Sequence, residues 1–597
     1  MTDTKIIASR LEALREEMRR EHLSAFIFPS SDPHMSEYVP SRWEGRKWIS
    51  GFDGSAGTAV VTLHSAALWT DSRYFIAAEQ QLAGTEFQLM RERLDDTPTI
   101  PEWIAQQTKD GDSTEVGVDG MCMALSEVED MKAELKLLGG LTMRTNLDIL
   151  ERVWTDRPSV PSDKVNIQPM EYAGEACSDK LDRIRHKLLR QGASGMLLTQ
   201  LDDIAWTLNL RCTDVHCTPV FVSWLIIAED SATLYIKGEK LTPEVVAYLK
   251  EQNVDVAEYD DIVEGLKAYG GYTLLIDPAT VNYTLSQVRG NYRVVSAPSP
   301  VPAMKAVKSE AECEGYRRAM VRDGVAMVRF LKWLEQAVPQ GNETELSVSE
   351  KLRQLRAEQP LYRDNSFDTI AGYEKHGAIV HYEPTAESDI PLKPEGFLLL
   401  DSGAQYADGT TDITRTIQLG PVSDLHRRVY TLVLKGHLSL QNLCFPRGAA
   451  GTQLDAIARS AMWREGMNYM HGTGHGVGSY LSVHEGPHQI RQEYRGTPMV
   501  EGMTVTDEPG LYLADRFGVR IENTLLVVPY MTTEFGRFVR FEPLTLCPID
   551  TTPIVVDMLS AEERSVLNAY HQMVYERLSP LLNEDEREWL RIKTEAI

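Results

Sequence analysis

A helix and the strand that follows it near the N-terminus recur further along the chain at a constant offset. An apolar stripe at helical spacing within 11–18 precedes a strand-like run at 25–28, and a stripe within 181–188 precedes a run at 195–198. The stripe residues are Leu11, Leu14, Met18, Leu181, Ile184 and Leu188. Further strand-like runs follow each copy, which predicts two related α/β domains. Chance similarity of two ordinary helices is the alternative.

Two stretches rich in Pro and Ser, DRPSVPSD and SAPSPVPAM, divide the chain into three segments. In the second stretch, Pro298, Pro300 and Pro302 are expected to exclude regular helix. The third segment opens with Ser309 and Glu312, a capping-box pattern that predicts a long helix to about Ala337. We therefore predict domains at 1–158, 159–303 and 304–597.

The balance of charge limits the partners that this chain can bind. Its 597 residues include 61 Lys and Arg against 87 Asp and Glu, a net charge of −26. This balance disfavours nucleic acid, which needs clustered basic residues. The longest apolar runs, such as 219–228, are shorter than the ~18 residues of a membrane span. A charged N-terminus and seven scattered Cys favour a cytoplasmic location.

The segment FLLLDSGAQYADGTTDITRTIQL predicts a hairpin that brings two aspartates together. An apolar run leads into Asp401, turn residues occupy 406–409, and alternating residues follow Asp412. In this register Asp401 faces Thr414, so both aspartates project from one face of the hairpin. Two close carboxylates repel each other unless a bound cation compensates them. A pair of solvated surface aspartates is the alternative.

The segment HGTGHGVG carries His471 and His475 among four glycines. The spacing would place both rings on one face of a helix, but each Gly costs about 1 kcal/mol relative to Ala there. We therefore predict a cramped loop in which glycines allow close approach of the backbone. An imidazole in such a loop is either a ligand or hydrogen-bond donor, or a buried structural histidine.

The segment VTDEPGLYLADRFGVRIENTLLVV predicts a second hairpin, centred on Asp515. Glu508 and Glu522 lie at equal distances on either side of that centre, so they share one face of the sheet. Both glutamates border apolar runs, where an unpaired carboxylate is costly to bury. Arg520 lies on the same face and either orients a ligand carboxylate or forms a surface ion pair.

We group Asp401, Asp412, His475, Glu508 and Glu522 as one candidate cluster. Two divalent cations would balance its four carboxylates. An oxygen-rich set with a single imidazole favours Mn²⁺, with Co²⁺, Fe²⁺ or Zn²⁺ as substitutes. Two such ions about 3.5 to 4 Å apart share a water and lower its pKa. The cluster therefore predicts hydrolytic chemistry at a carbonyl carbon.

Five motifs in the second half of the chain resemble those of the pita-bread metallopeptidases, in particular the long, three-domain Xaa-Pro aminopeptidases. They are AIVHYEP, LLLDSGAQYADGTTDITRT, HGTGHGVGSYLSVHEGP, VTDEPGLY and VRIENT. GFDGSAGTAVVT, WTDSRYF and LDDIAWTLNLR extend this resemblance over essentially the whole chain. It implies an α/β and α+β multidomain fold, with two related creatinase-like α/β domains followed by a C-terminal pita-bread catalytic domain. The resemblance also implies that the five cluster residues bind two metal ions, and that the protein is a homodimer formed through its C-terminal domain.

The same resemblance assigns roles to residues around the cluster. His381, His471 and His484 match family positions near the scissile bond, where the leaving amine needs a proton and the oxyanion needs a donor. Arg73 resembles an arginine that contacts substrate from the first domain. Glu508 is the expected general base.

The predicted activity is release of the first residue from peptides with proline in second position, by attack of a metal-bridging hydroxide. The Xaa-Pro amide is tertiary and lacks an N–H, so an attack that does not need this donor suits it. A prolidase restricted to Xaa-Pro dipeptides is the nearest alternative. A metal-free binding scaffold on the same fold is another, although such scaffolds lose ligands and this chain keeps five.

Overall fold

The computed structural model describes residues 4–109 and 113–597. The chain divides into two compact units, one formed by Met1–Ile167 with Ala176–Val301 and the other by Gln168–Glu175 with Pro302–Ile597. Each unit has its own hydrophobic cores. The first unit carries Arg73, and the second carries all five cluster residues.

The first unit contains two six-stranded sheets with the same strand order. In each sheet the strand that comes first in the sequence lies inside, antiparallel to one neighbour and parallel to the other. From edge to edge, the first sheet runs through Phe87–Arg91, Ala66–Thr70, Thr58–Thr62, Ala25–Phe28, Glu115–Val118 and Thr142–Arg144. The second runs through Val254–Ala257, Ala232–Tyr235, Trp224–Ile227, Gly195–Leu198, Thr273–Ile276 and Arg293–Ser296. The shared topology confirms the predicted duplication.

The two amphipathic helices of the repeat are Thr4–Arg20 and Cys177–Arg190. All six stripe residues are buried, as their helical spacing predicts. The other α-helices of this unit are Gly45–Ser50, Phe75–Gln81, Ile100–Gln107, Leu125–Gly139, Leu150–Val153, Leu201–Leu208, Pro243–Glu251, Ile262–Ala268 and Tyr283–Ser286. Short 3₁₀ turns occupy Ser41–Trp43, Gly238–Lys240 and Tyr259–Asp261, and a two-stranded sheet pairs Asn166–Ile167 with Leu210–Arg211.

The longest helix of the second unit, Glu310–Ala337, begins where the sequence predicts. The Ser309 side chain accepts a hydrogen bond from the Glu312 backbone N–H, and the Glu312 side chain accepts one from the Ser309 N–H. The remaining α-helices are Met170–Ala173, Glu345–Ala357, Asp424–Gln441, Gly451–Trp463, Ala561–Leu578 and Glu584–Lys593. 3₁₀ turns occupy Val338–Gln340, Glu374–Ala378, Val556–Met558 and Ser579–Leu581.

The expectation that the second proline-rich stretch excludes helix is wrong at Pro302. This residue lies in the helix Val301–Ala306. A proline in the first turn removes an N–H that has no partner within the helix, so it is tolerated there. The predicted domain boundaries at 158/159 and 303/304 stay predictions.

The strands of the second unit form small sheets. Two three-stranded sheets follow the orders Tyr362–Asn365, Ala404–Tyr406, Gly409–Thr410 and Ile370–Tyr373, Phe397–Ser402, Ile413–Gln418. A four-stranded sheet has the order Cys444–Pro446, Gly536–Pro543, Asn523–Thr533, Thr504–Asp507. Two-stranded sheets pair Gly474–Gly476 with Glu485–Ile490 and Gly510–Leu513 with Phe517–Arg520.

One hydrophobic core of the second unit fixes the Gly510–Leu513 and Phe517–Arg520 hairpin. Apolar side chains from this hairpin pack with side chains from the helices Glu310–Ala337, Asp424–Gln441 and Ala561–Leu578. The hairpin is therefore anchored by long helices, which hold the residues at its base in place. Among the described residues, we find no helix with the length and apolar character needed to span a membrane.

Candidate metal centre

The first predicted hairpin forms with the expected register. Phe397–Ser402 pairs antiparallel with Ile413–Gln418, and Asp401 lies opposite Thr414. Asp401 is 8% exposed and Asp412 is 3% exposed. Because both aspartates are buried, the alternative that they are solvated surface residues is wrong.

The second predicted hairpin is centred on Asp515, which adopts a left-handed backbone conformation with φ of 60°. Its pairing continues in register to Asp507 opposite Asn523 at the base of the hairpin. Glu508 directly follows Asp507 in the chain, and Glu522 directly precedes Asn523. Both glutamates therefore lie beside this pair at the base of the hairpin. Glu522 is 1% exposed, and the Glu508 side chain is 18% exposed.

His475 lies in the short strand Gly474–Gly476, where the sequence predicts a non-helical segment. A Cβ at Gly474 would lie 1.9 Å from the Thr506 carbonyl oxygen, so glycine permits this close approach. The His475 Nδ1–H donates a hydrogen bond to the Gly476 carbonyl oxygen at 2.8 Å. With Nδ1 as the donor of this hydrogen bond, Nε2 is the nitrogen that would bind a metal ion.

The structure brings the predicted cluster residues together. One ligand atom from each of Asp412, His475 and Glu522 lies within 4.8 Å of the others. The His475 Nε2 is 3.5 Å from Asp412 Oδ2 and 3.5 Å from Glu508 Oε1. Asp401 lies opposite Thr414, whose hydroxyl donates to Glu522 Oε2 at 2.7 Å. Besides burial, the charge of Asp401 contributes to the raised pKa values of the Asp412 and Glu522 carboxyls.

Burial and mutual repulsion both act on these carboxyl groups. Burial, followed by the charges of Asp401 and Glu508, raises the pKa of Asp412 well above its usual range. Burial and then the charges of Asp412 and Asp401 do the same to the pKa of Glu522. Burial also raises the pKa of Glu508 to about 7, although Arg520 opposes this. Such a group is costly to ionise unless cations neutralise it.

Few donors among the described residues form hydrogen bonds with the cluster carboxylates. Asp401 Oδ2 accepts one from the Arg520 guanidinium at 2.7 Å, and Glu522 Oε2 accepts one from the Thr414 hydroxyl at 2.7 Å. Asp401 Oδ1 is buried and has no hydrogen-bond partner within residues 4–109 and 113–597. An oxygen-rich set with such an orphaned atom fits divalent cations.

Arg520 is 1% exposed, so it forms a buried ion pair with Asp401 and not a surface pair. Its guanidinium also donates to the Tyr512 hydroxyl at 2.7 Å. That hydroxyl lies 2.8 Å from His471 Nε2, and His471 Nδ1 lies 2.7 Å from the Gly472 carbonyl oxygen. A continuous hydrogen-bonded chain therefore connects Asp401 to the His471 ring.

The other predicted residues differ in how they lie relative to the cluster. The His484 ring lies 4.5 Å from the His475 ring, centroid to centroid, with the two planes at 85°. His381 follows Val380, whose carbonyl oxygen accepts a hydrogen bond from Arg520 at 3.3 Å. Arg73 belongs to the first unit and forms a bidentate ion pair with Asp71 there, at 2.9 and 2.7 Å. Its predicted contact with substrate stays a prediction.

Comparison with family models covers nearly the whole chain. The model "Metallopeptidase family M24" matches residues 314–529, and "C-terminal region of peptidase_M24" matches 537–597. Two models described as "Creatinase/Prolidase N-terminal domain" match residues 10–144 and 156–312.

Several relatives are similar over their full length. "Aminopeptidase P1" of Arabidopsis thaliana is 37% identical over 96% of this chain and 97% of its own. "Probable Xaa-Pro aminopeptidase P" of Aspergillus niger is 38% identical, with complete coverage of both chains. The chain belongs to metallopeptidase family M24.

A solved structure shows that the similarity of this M24 chain extends to the complete fold. The X-prolyl aminopeptidase from Caenorhabditis elegans, described as a cytosolic enzyme with a di-nuclear active site, is 32% identical. The match has a TM-score of 0.94 and covers 99% of this chain and 100% of the other. The predicted fold class, with two creatinase-like domains followed by a pita-bread domain, is confirmed by these matches.

Sequence reasoning missed three residues that hold the M24 cluster. Thr414 donates to Glu522, and the Thr506 hydroxyl lies 3.3 Å from Glu508 Oε1. Tyr512 connects Arg520 to His471. The period-two alternation of the first hairpin contained a signal for one of them, because Thr414 lies opposite Asp401.

Proposed function

We propose that this chain is a metal-dependent aminopeptidase that releases the first residue from peptides with proline in second position. One observation carries the proposal: buried carboxylates and an imidazole converge in an M24 catalytic unit, and within the described residues the buried Asp401 Oδ1 has no hydrogen-bond partner. Full-length relatives named as Xaa-Pro aminopeptidases support the choice of substrate.

Five residues of the second unit would hold two divalent cations in this proposal. They are Asp401, Asp412, His475, Glu508 and Glu522. Their oxygen-rich donor set suits Mn²⁺. When bound, the cations would supply an activated water and compensate the charge that develops on a carbonyl oxygen.

The surrounding residues then orient the peptide and move protons. Glu508 is the proposed general base, because its carboxylate lies in the cluster and remains partly exposed. His381, His471 and His484 are the proposed hydrogen-bond partners of the substrate and of the oxyanion. Both ring nitrogens of His471 are engaged, one by the Tyr512 hydroxyl and one by the Gly472 carbonyl. In this proposal His471 therefore exchanges one of these hydrogen bonds when it contacts the substrate.

The chemistry of proline explains the proposed selectivity. An Xaa-Pro bond has no N–H, so a site that recognises this donor would reject it. The free α-amine at the start of the peptide is cationic, and the acidic site attracts it. We also propose that Arg73 contacts the peptide from the first unit.

Peptides that differ in length and sequence test this activity directly. We expect the metal-loaded protein to release alanine from Ala-Pro-Ala and to leave Ala-Ala-Ala largely intact. Mass spectrometry of the products measures both reactions. Cleavage of the dipeptide Ala-Pro but not of Ala-Pro-Ala would establish a prolidase and contradict the proposal.

The variant Glu508→Gln tests the chemistry of the cluster. We expect hydrolysis of Ala-Pro-Ala to fall by about 10² to 10⁴, the usual contribution of general acid–base catalysis. The control is Glu534→Gln, which makes the same change at an exposed position on a hairpin turn. If the protein neither binds metal nor hydrolyses the peptide, it is instead a scaffold.

Two further proposals concern assembly and location. We propose a homodimer formed through the C-terminal domain, supported by the family resemblance and testable by analytical ultracentrifugation. We propose a cytoplasmic location, supported by the description of the Caenorhabditis elegans neighbour as a cytosolic enzyme. Fractionation of cells with an antibody to this protein tests it.

A further inference from the structure

The segment from Tyr373 to Tyr382 leads to His381 at the proposed active site. It consists of the end of the strand Ile370–Tyr373, the 3₁₀ turn Glu374–Ala378 and the residues that follow. A loop that carries a substrate-binding imidazole must be held in place, because loops are more mobile than helices and strands. In the structure, hydrogen bonds to one buried carboxylate hold this segment in place.

Glu345 is a buried carboxylate at the first position of the helix Glu345–Ala357, and it is 0% exposed. Its Oε1 accepts a hydrogen bond from the Tyr373 backbone N–H at 2.8 Å. The His376 Nδ1 lies 2.9 Å from Oε1 and 3.0 Å from Oε2. The Tyr382 hydroxyl donates to Oε2 at 2.8 Å.

All three donors belong to the one segment that carries His381. Hydrogen bonds to an ionised carboxylate are stronger than those between neutral groups, and a buried carboxylate needs them. The N-terminus of a helix also favours negative charge at Glu345. The His376 and Tyr382 rings pack at a centroid distance of 4.4 Å, which further restricts the segment.

His381 is therefore flanked by two tethered neighbours. On one side, the Val380 carbonyl oxygen accepts a hydrogen bond from Arg520, which also holds Asp401. On the other side, Tyr382 is held by Glu345. The first tether ties the segment to the cluster, and the second ties it to a helix of the scaffold.

We propose that Glu345 is a positioning residue that acts through Tyr382 and His376 to place the His381 imidazole beside the cluster before substrate binds. This inference rests on the proposed function. Within the described residues, the Glu345 carboxylate accepts hydrogen bonds from Tyr373, His376 and Tyr382 and from no residue of the cluster. Displacement of a reacting or orienting group by about 1 Å costs up to 10²-fold in rate, so a tether of this kind affects catalysis.

Tyr382→Phe is the variant that tests the proposal, because it removes one hydroxyl and retains the ring. Glu345→Gln removes a buried charge that also stabilises the fold, so it is less specific. We expect Tyr382→Phe to lower kcat/KM for Ala-Pro-Ala by about tenfold. Metal content, measured by inductively coupled plasma mass spectrometry, and the melting temperature should remain close to those of the unmodified protein.

Tyr373→Phe provides a matched control on the same segment. It deletes the same atom, but the Tyr373 hydroxyl donates to the Glu395 carbonyl oxygen at 3.0 Å and not to Glu345. The Tyr382 hydroxyl also lies 3.0 Å from the Ser388 Oγ. Ser388→Ala therefore separates that contact from the one to Glu345, and we expect it to retain most of the activity.

A double-mutant cycle with His381→Ala decides whether the tether acts through His381. We expect Tyr382→Phe to cause no further loss of kcat/KM once the imidazole is absent. An undiminished loss in the His381→Ala background, an equal loss in Tyr373→Phe, or a loss of bound metal would overturn the proposal. If the unmodified, metal-loaded protein does not cleave Ala-Pro-Ala, it is the proposed function that fails.

Discussion

Two sites in the second unit bury carboxylates, and the number of donors around them differs. Glu345 accepts hydrogen bonds from a backbone N–H, an imidazole and a tyrosine hydroxyl. In the cluster, Asp401 has one oxygen held by Arg520 and one that is orphaned within the described chain. Both sites remove negative charge from water, but the protein's own groups compensate the cluster only in part.

The difference distinguishes a structural carboxylate from one prepared for a ligand. A buried charge is tolerated when hydrogen bonds and opposite charges replace its solvation. The cluster concentrates four carboxylates around His475 and leaves this compensation incomplete. Divalent cations would complete it, and this is the physical reason to assign metal binding to the cluster.

Among the changes that test the difference between the two sites, removal of metal should have the largest effect on the rate of hydrolysis. We expect chelation to reduce hydrolysis of Ala-Pro-Ala by about a thousandfold, because bound metal supplies several kcal/mol of transition-state stabilisation. Added Mn²⁺ should restore the rate, which serves as the control for damage by the chelator. Full activity in protein shown to contain no metal would show that the cluster is compensated in another way.

The variant Glu345→Gln should affect the donor-rich site whether or not metal is present. We expect it to lower the free energy of unfolding by about 3 kcal/mol, since charge-assisted hydrogen bonds are lost in a buried place. Urea denaturation of the metal-free and Mn²⁺-loaded protein measures the effect. Glu350→Gln, at an exposed position on the same helix, is the control. A loss confined to the Mn²⁺-loaded protein would contradict the distinction between the two sites.

In the donor-poor cluster, Asp412→Asn should instead raise the free energy of unfolding of the metal-free protein. It removes a carboxyl whose pKa is raised in the folded protein, a shift that costs stability at neutral pH. We therefore expect the metal-free protein to gain about 1 kcal/mol of stability. Mn²⁺ should then raise the melting temperature of this variant less than that of the unmodified protein, because one ligand is missing. Differential scanning calorimetry in both conditions measures this. A less stable metal-free variant would mean that Asp412 is already compensated by the protein.

The hairpins account for much of what could be predicted from the amino-acid sequence. Pairing along a strand repeats every two residues, so a turn position fixes which side chains share a face. On this basis the register of Asp401 with Thr414 is confirmed, and so is the centre of the second hairpin at Asp515. The apolar stripes and the capping box at Ser309 are local patterns and were predicted for the same reason.

Contacts between distant elements could not be predicted in this way. Glu345 meets Tyr382 because a helix packs against a loop, and no spacing rule relates the two positions. The chain from Asp401 through Arg520 and Tyr512 to His471 likewise joins three separate segments. The short helix at Pro302 shows that even a local rule depends on where a residue lies in its turn.

The amino-acid sequence alone determined which residue types are available and which face of each hairpin carries them, because alternation and turn chemistry act over short distances. The tertiary structure alone decided that these faces meet, how deeply the carboxylates are buried and which donors reach them. Burial and hydrogen bonding depend on packing between segments far apart in the chain. They separate an acidic residue held by the protein from one that needs a cation.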